Sequence, residues 1–313
     1  MRVVFLGTPE FAVPALERLL GHGCDIPAVF AQPDRPAGRG RKVRPGPVKS
    51  LAESRGLALH QPEKIRAEEN REVFERLRPD YIVSAAYGQI LPGWLLASAR
   101  RHALNIHASL LPRYRGAAPV AWSILNGDRV SGVTLMVMEE ALDAGPILLQ
   151  REVPIGLETT TGELTRTLAR EGAELLVETL VRMERGDLRP VPQDEALATW
   201  APRLTKDMAP VSWDESALVV HNRIRALDPW PGARTLFCGE PLLLWRSLPG
   251  EMTGFAGAEP GRLLSVSERG MRVQCGGGSV LELVEVQRPG KGRVSGREFV
   301  SGARVRPGDV VFH

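Results

Sequence analysis

Asn105, His107 and Asp143 are the residues of this chain best suited to acyl-group chemistry. The first two stand in the run Asn105-Ile106-His107-Ala108-Ser109-Leu110-Leu111-Pro112-Arg113-Tyr114-Arg115-Gly116, and the third in Leu142-Asp143-Ala144-Gly145. In an extended segment side chains alternate faces, so the amide and the imidazole are expected on one side of a strand end. An amide N–H and a protonated imidazole can both stabilise an oxygen that gains negative charge when a carbonyl is attacked. A carboxylate close by favours the charged ring. An Asn-x-His pair alone says little, since most such residues are surface groups or hydrogen-bonded core residues. Its surroundings decide.

Two further stretches supply binding chemistry. Residues 31–50 hold six basic residues, Arg35, Arg39, Arg41, Lys42, Arg44 and Lys49, with no acid after Asp34. Their Pro and Gly predict a long exposed loop without regular structure. Cations without acidic neighbours suit phosphate contacts, with steep salt dependence; the alternative is an ordinary solvated loop. The tract Ala85-Ala86-Tyr87-Gly88-Gln89-Ile90-Leu91-Pro92 predicts a turn whose backbone reads a flat heterocycle while Ile90 and Leu91 cover its faces. Near the C-terminus Arg288, Lys291, Arg293, Arg297, Arg304 and Arg306 outnumber Glu285, Glu298 and Asp309, which extends the expected basic surface.

Other chemistries fit poorly. Gly7-Thr8-Pro9 lacks the G-x-G-x-x-G of nicotinamide enzymes. His22, His60, His102, His107, His221 and His313 form no metal-ligand spacing, so no metal is expected. Cys24, Cys238 and Cys275 lie far from the motifs above, which argues against a covalent thiol intermediate and against a disulfide framework. No apolar stretch is long enough for a membrane helix, and the N-terminus lacks a signal-peptide cleavage region. The expectation is a soluble cytoplasmic protein, away from membranes.

The elements that must position these groups read as follows. Val3 to Leu6 is an apolar strand, after which Phe11, Val13, Leu16, Leu19 and Leu20 recur at helical spacing. Ile26–Phe30, Ala58–His60 and Tyr81–Ala85 read as further buried strands, and Glu68–Leu77 as a helix. This alternation predicts an α/β domain with a doubly wound, mostly parallel sheet, whose ligands gather at the carboxyl ends of the strands. Gly132–Met138 and Ile147–Val153 flank Asp143 as two more strands, and a long amphipathic helix ends near Gly186. Residues 1–188 are therefore the catalytic domain, the Pro-rich stretch 189–209 a linker, and 210–313 a second domain. Five short strands with Gly-rich turns after a helix at Leu218–Leu227 predict a small OB-like β-barrel there. A chain of 313 residues, 43% hydrophobic with net charge +3, allows two such cores.

Together these motifs resemble the methionyl-tRNA formyltransferases over essentially the whole length. The Asn-x-His and Ser-Leu-Leu-Pro run is shared with other folate-dependent formyltransferases; the basic loop and second domain narrow the resemblance to the tRNA enzyme. It implies a Rossmann-like formyltransferase domain and transfer of the formyl group of 10-formyltetrahydrofolate to the amino group of initiator methionyl-tRNA. It implies Asn105, His107 and Asp143 as catalytic residues. Folate contacts fall on Ser109, Leu110, Leu111 and Pro112 and on Tyr87, Gly88, Gln89, Ile90 and Leu91. Contacts to the tRNA acceptor end fall on Arg35, Arg39, Arg41, Lys42, Arg44 and Lys49, with the second domain also binding tRNA. The chain is expected to act as a monomer. The rivals are a small-molecule formyltransferase or formyl-folate hydrolase with the same three groups, and a non-catalytic RNA-binding protein, which would leave those groups unexplained.

Overall fold

The computed structural model describes residues 1–37, 42–250, 259–303 and 305–313. They form two compact units: 1–119, 130–154 and 165–201 in the first, 120–129, 155–164 and 202–313 in the second. Along the chain run strands β1 (Arg2–Gly7), β2 (Asp25–Phe30), β3 (Pro36–Ala37), β4 (Lys42–Val43), β5 (Leu59–His60), β6 (Tyr81–Ala85), β7 (His102–His107), β8 (Val130–Val137) and β9 (Ile147–Pro154). Helices α1 (Val13–Gly21), α2 (Pro47–Ser54), α3 (Glu68–Leu77), α4 (Gly93–Leu96), α5 (Pro119–Leu125) and α6 (Thr161–Glu184) lie among and after them.

The first unit is built on a seven-stranded sheet in the order β5-β2-β1-β6-β7-β8-β9. Strands β5 through β7 are parallel, and β8 and β9 are antiparallel to their neighbours. The apolar run Val3–Leu6 is wholly buried, as expected for a parallel strand covered on both faces. On one face Val4, Leu6, Ala28, Phe30, Ile82 and Ala103 pack with Phe74 of α3 and Leu95 of α4. Ile106 faces the other way, toward α6, where Gly172 permits close approach: a Cβ there would sit 2.7 Å from Ile106 Cγ2. Asn105 and His107, on either side of Ile106, therefore share the face of Ala103.

The side on which successive strands join the sheet reverses between β1 and β6, and the loops leaving β1, β2 and β6 meet at that point. Thr8 joins all three: its Oγ1 donates to the Tyr87 carbonyl at 3.1 Å and accepts from the Gln32 amide at 3.1 Å. Gly7 serves this packing rather than a nucleotide, since a Cβ on it would lie 2.7 Å from that of Ala12.

Two expectations for residues 31–50 change. The stretch contains the short β3–β4 hairpin, and α2 starts at Pro47, within the segment expected to lack structure. Proline at the first helical position needs no N–H partner and is preset in φ, so here it begins a helix.

The second unit carries α7 (Ala217–Ala226), then β10 (Ala233–Phe237), β11 (Glu240–Pro249), β12 (Leu263–Val266), β13 (Met271–Gln274), β14 (Val280–Gln287), β15 (Val294–Ser295) and α8 (Gly296–Ser301). The strands pair antiparallel in the open order β10-β11-β14-β13-β12, with β15 on β14, so they do not close into the expected barrel by themselves. The C-terminal residues reach both edges. The Leu236 and His313 amides exchange hydrogen bonds with each other's carbonyls at 3.0 Å, and the Leu263 amide donates to the Asp309 carbonyl at 2.9 Å. Phe312 is buried there against Trp213 and Phe237. Helix α8, unforeseen, starts with a capping box between Ser295 and Glu298.

The expected linker is only partly separate. Val191 exchanges backbone hydrogen bonds with Ile147, and Thr199 and Ala201 bond to the Arg115 backbone, so residues through 201 belong to the first unit. Their lack of periodicity reflects a segment held by single bridges rather than by a ladder.

Candidate active site

Asn105 and His107 lie in β7, where His107 is in register with Thr134 of β8 and Asn105 with Met136. The connection from β8 to β9 returns Asp143 to the same place. His107 is 6% exposed and Asp143 12%, with His107 Nδ1 at 3.7 Å from Asp143 Oδ1. That is an ion-pair distance, longer than a hydrogen bond. The other ring nitrogen is committed: Nε2 lies 3.0 Å from the Tyr114 carbonyl, which can only accept, so Nε2 carries a hydrogen. The ring nitrogen left for a further partner is therefore Nδ1, which faces Asp143.

Asp143 sits at positive φ (51°), and its Oδ2 accepts from the Gly116 amide at 2.9 Å. Its backbone is held as well, because Gln193 Nε2 donates to the carbonyls of Asp143 and Gly145 at 2.8 and 2.7 Å. The Asn105 side chain is half-buried and makes no hydrogen bond among the described residues. His107 Nδ1 and Asp143 Oδ1 thus approach each other, and Asn105 stands two positions from His107 on the same strand face, a combination of groups that can stabilise an oxygen gaining negative charge.

The expected folate residues divide by what their side chains do. Ser109 is fully buried, and its Oγ donates to the Arg113 carbonyl at 2.6 Å. Thr134 secures the same turn: its hydroxyl donates to the Ser109 carbonyl and accepts from the Leu111 amide. Leu111 is buried, while Leu110 and Pro112 are half-exposed. In the other tract the Tyr87 ring is 2% exposed and packs in the core, where burial pushes its hydroxyl up to about 12. Leu91 packs there too, so it cannot cover a ligand face as expected. Gln89 is spent on the backbone of residues 62–65. A flat ring would meet the main chain at Gly88 (φ 90°) and the side chain of Ile90, which is 79% exposed.

Of the six expected cations, Arg35 and Arg44 are exposed, Lys42 opens β4, and Arg39 and Arg41 lie outside the described residues, as does Arg304. Lys49 departs from expectation. Its ammonium pairs with Asp34 at 2.5 Å, and that contact, with the hydrogen bond from Gln61, holds the Asp34 carboxyl below the usual carboxylate range. Lys49 therefore anchors the base of the loop rather than standing free. Arg293 is likewise matched, by Asp228 and Glu285. Among the described residues no group of three or more His, Cys, Asp or Glu could hold a metal ion, and no helix is long and apolar enough to cross a membrane.

Sequence reasoning missed the Tyr114 carbonyl, the Gly116 amide, Thr199 and Gln193. Backbone groups have no residue-type signature, and Gln193 and Thr199 fall in the stretch expected to be a linker.

Comparison with known proteins places these elements in a family. The family model described as "Formyl transferase" matches residues 1–180, and "Formyl transferase, C-terminal domain" matches 203–304. Methionyl-tRNA formyltransferase of Citrifermentans bemidjiense is 43% identical over 311 residues, covering 99% of this chain and 96% of that protein. The protein of the same name from Solibacter usitatus is 45% identical over 305 residues, 97% and 96% of the two chains. Among solved structures, the N-formyltransferase of Helicobacter canadensis in complex with folinic acid and dTDP-3-aminofucose aligns with a TM-score of 0.70 at 18% identity, over 91% of this chain and 99% of that one. HypX of Aquifex aeolicus in complex with tetrahydrofolic acid aligns at 0.61 and 21% identity, over 96% of this chain and 47% of HypX, about half its length. At these identities the two structures show a shared fold.

Proposed function

The chain belongs to the methionyl-tRNA formyltransferase family, and from that membership we propose how its first unit performs the reaction. The family moves the formyl group of 10-formyltetrahydrofolate to the amino group of methionyl-tRNA. In our reading the neutral amine attacks the formyl carbon, a C–N bond forms, and the carbonyl oxygen becomes an oxyanion. Asn105 Nδ2 and His107 Nδ1 donate to it; one such donor is worth roughly 3–4 kcal/mol of barrier. Since Nε2 already donates to the Tyr114 carbonyl, a donor at Nδ1 means the imidazolium, with Asp143 as its counter-charge. Asp143 also receives the amine proton. When the oxyanion collapses, the bond from the formyl carbon to the folate nitrogen breaks and the proton ends on that nitrogen.

The single observation that supports these roles best is the 3.7 Å approach of His107 Nδ1 to Asp143 Oδ1, with Asn105 two positions along the same strand making no side-chain hydrogen bond among the described residues. Leu110, Pro112, Ile90 and the backbone at Gly88 are assigned to the folate, with Ser109, Leu111, Tyr87, Gln89 and Leu91 shaping the walls. Arg35, Arg39, Arg41, Lys42 and Arg44 are assigned to the acceptor end of initiator tRNA, and the second unit to the tRNA body. No metal enters this scheme, and the chain acts in it as a monomer in the cytoplasm, where its substrates are made and used.

Asp143→Asn keeps the size of the side chain and the bond to Gly116 N but removes the charge and the proton acceptor. Turnover should fall by about 100-fold or more with the fold intact by circular dichroism. Wild-type turnover in a folded variant overturns the assignment.

A further inference from the structure

Resting on that reading of His107 and Asp143, we infer that residues 191–201 are a positioning strap, and that Gln193 is the residue through which it sets Asp143. A chain of hydrogen bonds carries this. Gln193 Nε2 donates to the carbonyls of both Asp143 and Gly145, at 2.8 and 2.7 Å, and so spans the turn that carries the carboxylate. That turn has Asp143 at φ 51°, a conformation non-glycine residues adopt only when held. A single amide gripping both carbonyls is such a hold.

Gln193 is itself fixed. Its Oε1 accepts from Arg115 Nη2 and Nε at 2.8 and 3.1 Å. Arg115 is 3% exposed and meets Glu195 in a two-pronged pair, at 2.8 and 2.7 Å. A buried guanidinium without a carboxylate is costly, so the pair keeps Arg115 in place and Arg115 sets which way the Gln193 amide points. With Oε1 facing the arginine, the NH2 must face the carbonyls.

The strap reaches the imidazole by a second route. Thr199 Oγ1 accepts from the Tyr114 amide at 2.9 Å, and the Tyr114 carbonyl is the acceptor for His107 Nε2. The Thr199 carbonyl accepts from the Arg115 amide, and the Ala201 amide donates to the Arg115 carbonyl, both at 2.8 Å. One short segment thus sets Asp143 from one end and His107 from the other. Gln193 and Thr199 touch neither folate nor amine in this scheme; they act through the groups that do, where a displacement of about 1 Å can cost on the order of 100-fold in rate.

The test is a double-mutant cycle on the full-length enzyme with Gln193→Met and Asp143→Asn, reading kcat, both KM values and the folded fraction. Methionine keeps length and volume while removing the amide. We expect Gln193→Met to lower kcat per folded molecule on the order of tenfold, at least threefold, with KM for each substrate within twofold. In the Asp143→Asn background the same change should cost less than threefold, since the group it positions has lost its role. A merely structural residue would cost the same factor in both backgrounds. A loss below threefold in the parent, or an equal loss in both backgrounds, overturns the inference and leaves the Asp143 reading standing; full turnover in Asp143→Asn alone overturns that reading first. Should Gln193→Met fail to fold, Thr199→Val against Thr199→Ser decides: the serine, which keeps the hydroxyl, should restore kcat to within twofold, and equal rates for the two refute the strap.

Discussion

Thr134→Val should uncouple the Ser109–Pro112 turn from the sheet without opening a cavity. Thr134 is fully buried in β8, and valine has nearly its shape, so the cost is polar alone. The hydroxyl donates to the Ser109 carbonyl at 2.6 Å and accepts from the Leu111 amide at 3.1 Å and from Gln150 Nε2 at 2.9 Å. Gln150 keeps its second acceptor, the Leu111 carbonyl. The two backbone groups lose this partner in a site with little access to water. At about 1–3 kcal/mol for each buried group left without its bond, the expected cost is about 3 kcal/mol. In a unit of this size that lowers the melting temperature by about 6–12 °C. Thr134→Ser is the control: it keeps the hydroxyl and loses one methyl, for about 1 kcal/mol. Calorimetry of both variants, following the first unit's transition, isolates the hydrogen-bond part as their difference. Because the turn carries Leu110 and Pro112, KM for 10-formyltetrahydrofolate should rise more in the valine variant than KM for the tRNA. A valine variant as stable as the serine variant would refute the assignment of this hydroxyl as the fastener of the turn.

Replacing Arg39, Arg41 and Lys42 with Ala should weaken use of methionyl-tRNA far more than use of the folate and should flatten the salt dependence of KM; an unchanged slope marks the loop as ordinary surface. His221 is buried in the second unit between Ser247 and the Leu157 carbonyl, and burial, aided by Arg225, holds its ring below the ordinary value near 6.5. The unfolded chain then takes up a proton that the fold refuses, so stability present above pH 6.5 should decline as pH falls below it, and His221→Gln should flatten that decline in melting curves between pH 7.5 and 5. Phe312→Ala, in the tail that reaches both edges of the second sheet, should cost that unit about 3–5 kcal/mol, read as a shift of its denaturant midpoint.

Several elements were legible because their information is local. The spacing of apolar residues located α3 at Glu68–Leu77 and the strands around Asp143, and the alternation of strands with helices pointed to the parallel sheet. The strand period put Asn105 and His107 on one face, and the pairing of β7 with β8 agrees. Where local chemistry is ambiguous the reading failed: Pro47 served as a helix start instead of a breaker, and Lys49, expected to stand free in the basic loop, pairs with Asp34 across the loop and with Glu53 one turn on.

By itself, then, the amino-acid sequence determined which groups are available for chemistry and which strands carry them, because residue type and short periodicity act within a few positions. Only the tertiary structure decided which atoms remain for the reaction. It turned Nε2 of His107 toward Tyr114 and left Nδ1 facing Asp143, sent the side chains of Tyr87 and Leu91 into the core, and folded residues 191–201 back onto the site. Apart from the His107–Tyr114 bond, the hold on the site depends on backbone groups brought together with their partners across 27 to 85 positions of chain, and every residue but proline carries the same amide and carbonyl, so no pattern of residue types announces where they will meet.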